Sequence, residues 1–328
     1  MEILDSGYLA TITKEVLNEK KINTPILNTF FAKKEYVENG VVAVPKEVNS
    51  VDDLLPLIDP KAGIKNSGYD NKKGFNYYEL KLFGDLKLVT PQDIETFKRE
   101  LQNLDPVTYQ AKKVEIVKRI TDRMTTKVNA TREYMAGSAV LGTIKDKDGN
   151  TIYTFDIPAD NRLGDFKVSD DTKKPYEVLY ALEKQSKRAT KYRGKFGLII
   201  GASAYEKLLK SPSYQKLVEL GQKNLQDTID GIDGYFGGKY PFILADETYT
   251  DKQGNKKPFF NEDSILLAPT QIFAEYYQAI VTNKGSFAKL FHLDTFEVTN
   301  PDGLNIRLQT SSMPIVTLPN GIVTATLS

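Results

Sequence analysis

Apolar and polar positions along the chain change their period from segment to segment, and each period predicts an element. In TPILNTFFAKKEY, Pro25 stands at a helix start while Ile26, Leu27, Phe30 and Phe31 supply one apolar side, which predicts a short docked helix. From Val41 to Leu88 the runs VVAVP and YYELKLFGDLKLV are extended and alternating, and the polar, glycine-containing NSGYDNKKG lies between them. That pattern predicts a long hairpin with a hydrophilic tip. Thr90, Pro91 and Asp93 form a helix start, with a capping threonine, proline at the first position and an acid three residues after the cap. Asp105 and Pro106 repeat the signal. Beyond them Val107, Ala111, Val114, Val117, Ile120, Met124, Val128 and Met135 recur at helical spacing up to Gly137, predicting a helix of about 30 residues and roughly 45 Å. Its remaining positions are rich in Lys, Arg, Glu and Asp, which reads as a solvated face.

A hairpin follows in AVLGTIKDKDGNTIYTFDI, where Asp148 and Gly149 suit a tight turn. Helices and strands then alternate: a helix near Pro175 to Ala189, the apolar strand Phe196 to Ile200, a helix from Ser203, and another opened by Ser211 and Pro212. Between Gly234 and Pro269 the pattern gives a strand from Pro241 to Ala245, a hairpin around Asp251 to Asn255, and a strand from Ser264 to Leu267 closed by Pro269. The chain ends in LNIRLQTS, MPIVTL and GIVTATL, all strand-like. No internal repeat or low-complexity linker appears, so the pattern favours appendages on one body over beads on a string.

Motifs that could carry chemistry fail on particular residues. The single histidine, His292, sits in AKLFHLDTF without partners at the spacing of a zinc site or a Ser/His/Asp triad, so a strand position is favoured. Asp146, Asp148 and Asn150 begin like a calcium loop, but Thr151 occupies the place of the glycine needed for its sharp turn, leaving a hairpin turn. Gly237, Gly238 and Lys239 resemble the end of a phosphate loop, yet Tyr240 replaces its Ser or Thr and Asp233 its upstream glycine. FGLIIGASAYEKLL runs from strand to helix without GxGxxG. No catalytic, cofactor-binding or metal-binding residue is therefore assigned, and no cofactor.

Composition narrows the classes further. At 328 residues the chain exceeds the size at which one core usually keeps growing. Forty-four basic residues against 43 acidic ones give a formal net charge of +1, and no concentrated basic patch is visible in the sequence, so dense contact with DNA phosphates is not predicted. Cysteine is absent, which excludes disulfides and thiolate chemistry and fits a reducing compartment. The N-terminal run MEILDSGYLATITKEVLNEKK lacks the cationic start and apolar core of a signal peptide, and no run approaches the roughly 20 apolar residues of a membrane span. The expectation is a protein made and kept in the cytoplasm, without a membrane partner.

These pieces resemble, in order, the lambda-type major capsid proteins of tailed bacteriophages, the phage major capsid protein E family. The most specific stretch is GKYPFILADETYTDKQGNKKPFFNEDSILLAP. TPILNTFFAKKEY resembles the family's N-terminal run, FGLIIGASAYEKLLKSPSYQKLVEL its strand and following helix, and NIRLQTSSMPIVTLPNGIVTATL its closing strands. Between Leu141 and Lys174, and between Thr270 and Asp294, the match is of general character. The resemblance implies an α+β, tailed-phage capsid fold of the Hong Kong type, with axial lobe, peripheral lobe bearing a long spine helix, extended loop and N-terminal arm. Mapped onto this sequence it implies an arm at 1–40, an extended loop at 41–90, and a peripheral domain with the spine helix at 91–170. An axial domain would follow at 171–290, and C-terminal strands returning to the peripheral domain at 291–328. No catalytic residues come with it.

The function so implied is a major capsid protein, a structural subunit and not an enzyme, that self-assembles into the icosahedral procapsid and head. Its expected partners are itself, in pentamers and hexamers, a scaffolding protein, a portal protein, a candidate decoration protein, and packaged double-stranded DNA without sequence-specific binding. Two alternatives compete: an encapsulin-like nanocompartment shell, and a monomeric hydrolase using a carboxylate pair. An isolated hairpin is marginal in water, so a projecting one needs a neighbour's surface, and closing head-to-tail contacts make rings.

Overall fold

The computed structural model describes residues 24–45, 74–146, 148–168, 174–219, 235–236, 240–246, 248–250, 254–282, 285–299 and 302–328. Several sequence expectations lie outside these residues: the N-terminal run before Thr24, the tip of the long hairpin, the Gly237–Lys239 run and the turn at Asp251.

Six helices are described: α1 (Pro25–Thr29), α2 (Pro91–Glu100), α3 (Pro106–Val140), α4 (Pro175–Thr190), α5 (Ala202–Lys210) and α6 (Pro212–Glu219). Asp105 caps α3, its carboxylate accepting from the backbone N–H groups of Val107 and Thr108 at 3.1 Å. The helix runs 35 residues, or about 52 Å at 1.5 Å per residue, past the expected stop at Gly137. Gly137 lies inside the helix and serves close packing, not a stop: a Cβ there would lie 2.9 Å from the Phe259 carbonyl oxygen. At α2 the capping box is complete. The Asp93 N–H donates to Thr90 Oγ1 at 3.2 Å and the Thr90 N–H to Asp93 Oδ2 at 2.9 Å.

The centre of the fold is a six-stranded mixed sheet in the order Arg162–Phe166, Val323–Leu327, Ser264–Pro269, Phe196–Gly201, Tyr240–Ala245, Tyr235–Phe236. Phe196–Gly201 and Ser264–Pro269 are buried at every position, as strands covered on both faces must be. Residues Pro241–Ala245 and Ser264–Leu267 do not pair with each other. They flank Phe196–Gly201, the first parallel to it and the second antiparallel. One face packs under α4 and α5 through Leu198, Ile200, Ile265, Leu267, Val178, Leu182 and Leu208. The other meets α1 and the end of α3 through Ile199, Ile243, Leu266, Phe30, Met135 and Val140. Phe30 and Phe31 both pack edge-on against Phe273, with ring centroids 5.2 and 5.1 Å apart.

The middle of α3 lies on a three-stranded sheet, His292–Thr299, Asp302–Thr310, Phe83–Val89, burying Met124 and Val128 against Ile306, Leu308 and Val89. Two expectations change here. Residues 83–89 leave the predicted hairpin and pair with Asp302–Thr310, because Val89 and Phe83 face the core under α3. The C-terminal segment also divides: 292–310 lies beside α3, whereas Val323–Leu327 enters the six-stranded sheet between Ser264–Pro269 and Arg162–Phe166. The apolar stripe of α3 is shifted as well. Ile116 is fully buried, while Val107 is 79% exposed.

Candidate assembly surfaces

Val41–Pro45 and Phe75–Glu79 form a two-stranded antiparallel ribbon. Alternation divides its side chains: Val42, Val44 and Tyr78 are buried, and Val41, Phe75 and Tyr77 are exposed at 40, 48 and 66%. The buried side fixes the base. Tyr78 packs against Tyr153 and Phe155 of the hairpin formed by Thr143–Lys145 and Thr151–Thr154, with centroids 5.2 and 5.3 Å away. Tyr153 Oη accepts from the Glu79 N–H and donates to the Glu79 carbonyl, both at 2.9 Å. Above this anchor the ribbon's other face presents two neighbouring aromatic rings, Phe75 and Tyr77.

A second exposed apolar set lies on the three-stranded sheet, on the face away from α3. Leu86 is 54% and Phe296 38% exposed. Arg307 lies between them in register, its guanidinium bidentate to Asp294 at 2.9 and 2.6 Å and 5.2 Å from the Phe296 ring. That hydrogen-bonded carboxylate raises the Arg307 pKa above its ordinary value.

A polar joint ties α3 to a neighbouring strand and to α1, and reading α3 as one apolar stripe with a solvated remainder missed it. Arg132 and Glu133 are buried. Arg132 donates from Nε to Glu275 Oε1 at 2.7 Å and from Nη2 to Glu275 Oε2 at 2.6 Å, with Nη1 on Asn129 Oδ1 at 2.6 Å. Glu275 is on Phe273–Tyr277, the middle strand of a small sheet with Lys34–Tyr36 and Met313–Val316. Beside it, Glu133 accepts the N–H groups of Ile26 at 2.7 Å and Leu27 at 3.1 Å, capping α1 from α3. The signal existed in the sequence: position 132 continues the stripe four residues after Val128 and three before Met135.

The sequence's chemical candidates do not come together. His292 begins its strand, buried and stacked on Phe287 at 4.4 Å between centroids, with Asp294 3.9 Å away. Asp146 accepts from the N–H groups of Asp148 and Asn150 at 2.8 and 2.9 Å, closing a hairpin turn whose Gly149 has φ +83°. Gly201 ends a strand pressed against other backbone; a Cβ there would lie 2.3 Å from the Asn261 carbonyl oxygen. Among the described residues no group of three His, Cys, Asp or Glu could hold a metal ion, and no helix is long and apolar enough to cross a membrane. A cleft of about 320 Å³ at the end of α3 is lined by Tyr134, Tyr249, Phe259 and Lys145 among others. Burial, with the hydrogen bond to Tyr249, pushes the Tyr134 hydroxyl up to about 12.

A long helix across a small sheet, a mixed central sheet and a two-stranded ribbon anchored on one face make up the described fold, which is that of the shell subunits of tailed-phage heads. Solved structures agree on that fold. A capsid protein from a prophage of E. coli CFT073 superposes with a TM-score of 0.62 at 16% identity, over 95% of this chain and 97% of that one. The capsid of the native GTA particle gives 0.53 at 10%, over 94% and 92%. A phage-related protein from Bordetella bronchiseptica gives 0.54 at 9%, over 98% and 97%. No curated protein sequence matches the chain. The sequence profile of phage major capsid protein E matches residues 8–327, and the chain belongs to that family. It is a major capsid protein, a structural subunit of an icosahedral viral shell, and neither its family nor its fold is that of an enzyme.

Proposed function

We propose that this subunit builds a procapsid around a scaffolding protein and, joined by a portal, becomes the head that encloses double-stranded DNA. Its place is the virion capsid, with assembly in the cytoplasm of the bacterial host. In this reading residues 1–40 form an arm, 41–90 an extended loop whose last strand, Phe83–Val89, returns to the sheet under α3, 91–170 a peripheral lobe with the spine helix α3, and 171–290 an axial lobe. The closing segment, 291–328, serves both lobes, since its strands enter two different sheets. Pentamers and hexamers are the expected rings.

One observation carries the reading: the ribbon Val41–Pro45/Phe75–Glu79 is anchored by one face and leaves Val41, Phe75 and Tyr77 exposed on the other. Two aromatic rings on a two-stranded ribbon are costly to leave in water and suit burial on a neighbouring subunit. Negative-stain microscopy of the expressed full chain tests it. Closed shells or capsomer rings are expected, and replacing residues 46–73 by a short Gly-Ser turn should abolish them while the subunit stays folded. Shells of normal shape from the shortened protein would contradict the assignment.

A further inference from the structure

Helix α4 has one apolar face and one of different character. Val178, Leu179, Leu182 and Ser186 are buried on the sheet side. At 100° per residue the opposite arc carries Tyr176, Tyr180, Lys184, Lys187 and Arg188, with Lys191 at the C-cap following on the same line and one acid, Glu177, in the first turn, where its carboxylate accepts the Lys174 N–H. Tyr176 and Tyr180 are 62 and 65% exposed, and the four cations are exposed as well. The loop to the central strand adds exposed Arg193 and Lys195. Six of the chain's 44 basic residues thus fall between 184 and 195, against Glu177 and the buried Glu183 in the whole 176–195 stretch, and the remaining 38 face 41 acidic ones. A balanced total conceals a concentrated patch.

Four of its six cations are not used in ion pairs within the described residues. Lys187 pairs with Glu183 at 2.6 Å. Lys184, Arg188, Arg193 and Lys195 form no ion pair among the described residues. Cations in a last helical turn complement the helix dipole, but that accounts for Lys187 and Arg188 and not for Lys184, Arg193 or Lys195. The interface core between two proteins is typically depleted in lysine, whereas four of these six residues are lysines. Phosphodiester backbones select the opposite composition: lysines and arginines for the phosphate charge, with tyrosine hydroxyls as further donors to phosphate oxygens. From Tyr176 to Lys191 the stripe is about 22 Å long, enough to follow about six base pairs of a duplex.

We propose that the Tyr176–Lys195 face is a sequence-independent contact site for the phosphate backbone of nucleic acid. The stripe is separate from the ribbon on which the capsid reading rests, so each can fail alone. The test is fluorescence anisotropy of a labelled 30-base-pair duplex with the full chain, titrated between 50 and 200 mM salt. The comparison is with Lys184→Gln/Arg188→Gln/Arg193→Gln and with a control that removes three exposed cations elsewhere, Lys98→Gln/Lys210→Gln/Lys216→Gln. Parent and control should bind duplexes of unrelated sequence alike, and the stripe variant should bind about tenfold more weakly, with a log–log salt slope flatter by about 2 to 3. Its melting curve and its shells should match the parent's. The site is overturned if the parent does not bind at 50 mM salt, or if stripe and control variants weaken equally. Polyglutamate of matched length competing as well as DNA would overturn it in favour of an acidic protein partner. Loss of shells with DNA binding intact would overturn it in favour of a subunit contact.

Discussion

The central six-stranded sheet and the ribbon at Val41–Pro45/Phe75–Glu79 are built from the same kinds of residue and put them to opposite uses. In the sheet, Phe196–Gly201 is buried at every position between α4 and α5 on one side and α1 with the end of α3 on the other. In the ribbon, strict alternation buries Val42, Val44 and Tyr78 and leaves Val41, Phe75 and Tyr77 in solvent. Apolar area satisfied inside the subunit stabilises the monomer; apolar area held out on a stiff anchored ribbon stabilises only an assembly. Substitutions should therefore separate into those that destroy the fold and those that spare it and destroy the shell.

The largest effect is expected at the joint between α3 and the Phe273–Tyr277 strand. Arg132→Ala leaves Glu275 fully buried without its bidentate partner, which should cost about 3–5 kcal/mol and yield insoluble protein or a melt shifted far down. Next comes Val117→Pro. It removes a backbone hydrogen bond within α3 and clashes with the preceding turn, at about 3 kcal/mol, so neither soluble subunit nor shell should form in normal yield. Normal shells from that variant would mean the helix is not continuous there.

These two positions also mark what the sequence made legible. Asp105–Pro106 and the helical spacing after it placed the start of α3, Thr90–Asp93 placed α2, and Asp148–Gly149 placed a hairpin, because caps and turns are local chemistry. Pairing order was not legible. Nothing within Pro241–Ala245 or Ser264–Leu267 says that Phe196–Gly201 lies between them, since strand partners are chosen by burial across the whole fold. For the same reason 83–89 read as an arm of the hairpin, although its pairing partner lies more than 200 residues later. The burial of Arg132 was obscured by its charge; its position in the heptad-like spacing was the better guide. The candidate surfaces were legible only as an alternating run, because exposure of Phe75 and Tyr77 depends on which face the hairpin at Thr143–Thr154 covers.

A smaller loss is expected at Thr90→Ala, which removes the acceptor for the Asp93 N–H and should cost about 1 kcal/mol, seen as a modest drop in melting temperature with normal shells. The backbone and side-chain hydrogen bonds from Thr90 hold the Asp93 carboxyl below its ordinary value. Its contribution is thus present above the unfolded pKa and lost as pH falls through the lower folded one. The gap between parent and variant should narrow in acid. The smallest effect on subunit stability belongs to Phe75→Ser/Tyr77→Ser, within about 0.5 kcal/mol, as for surface substitutions away from the core.

That double variant gives the most direct test of the central claim, that the ribbon's outward face serves the shell and not the subunit. Parent and variant are compared by sedimentation velocity and by thermal melting in the same buffer. The parent should sediment as megadalton shells or capsomer rings, and the variant as a monomer of 36.8 kDa with an unchanged cooperative melt. A variant that still forms shells, or one that unfolds along with losing them, would contradict the account.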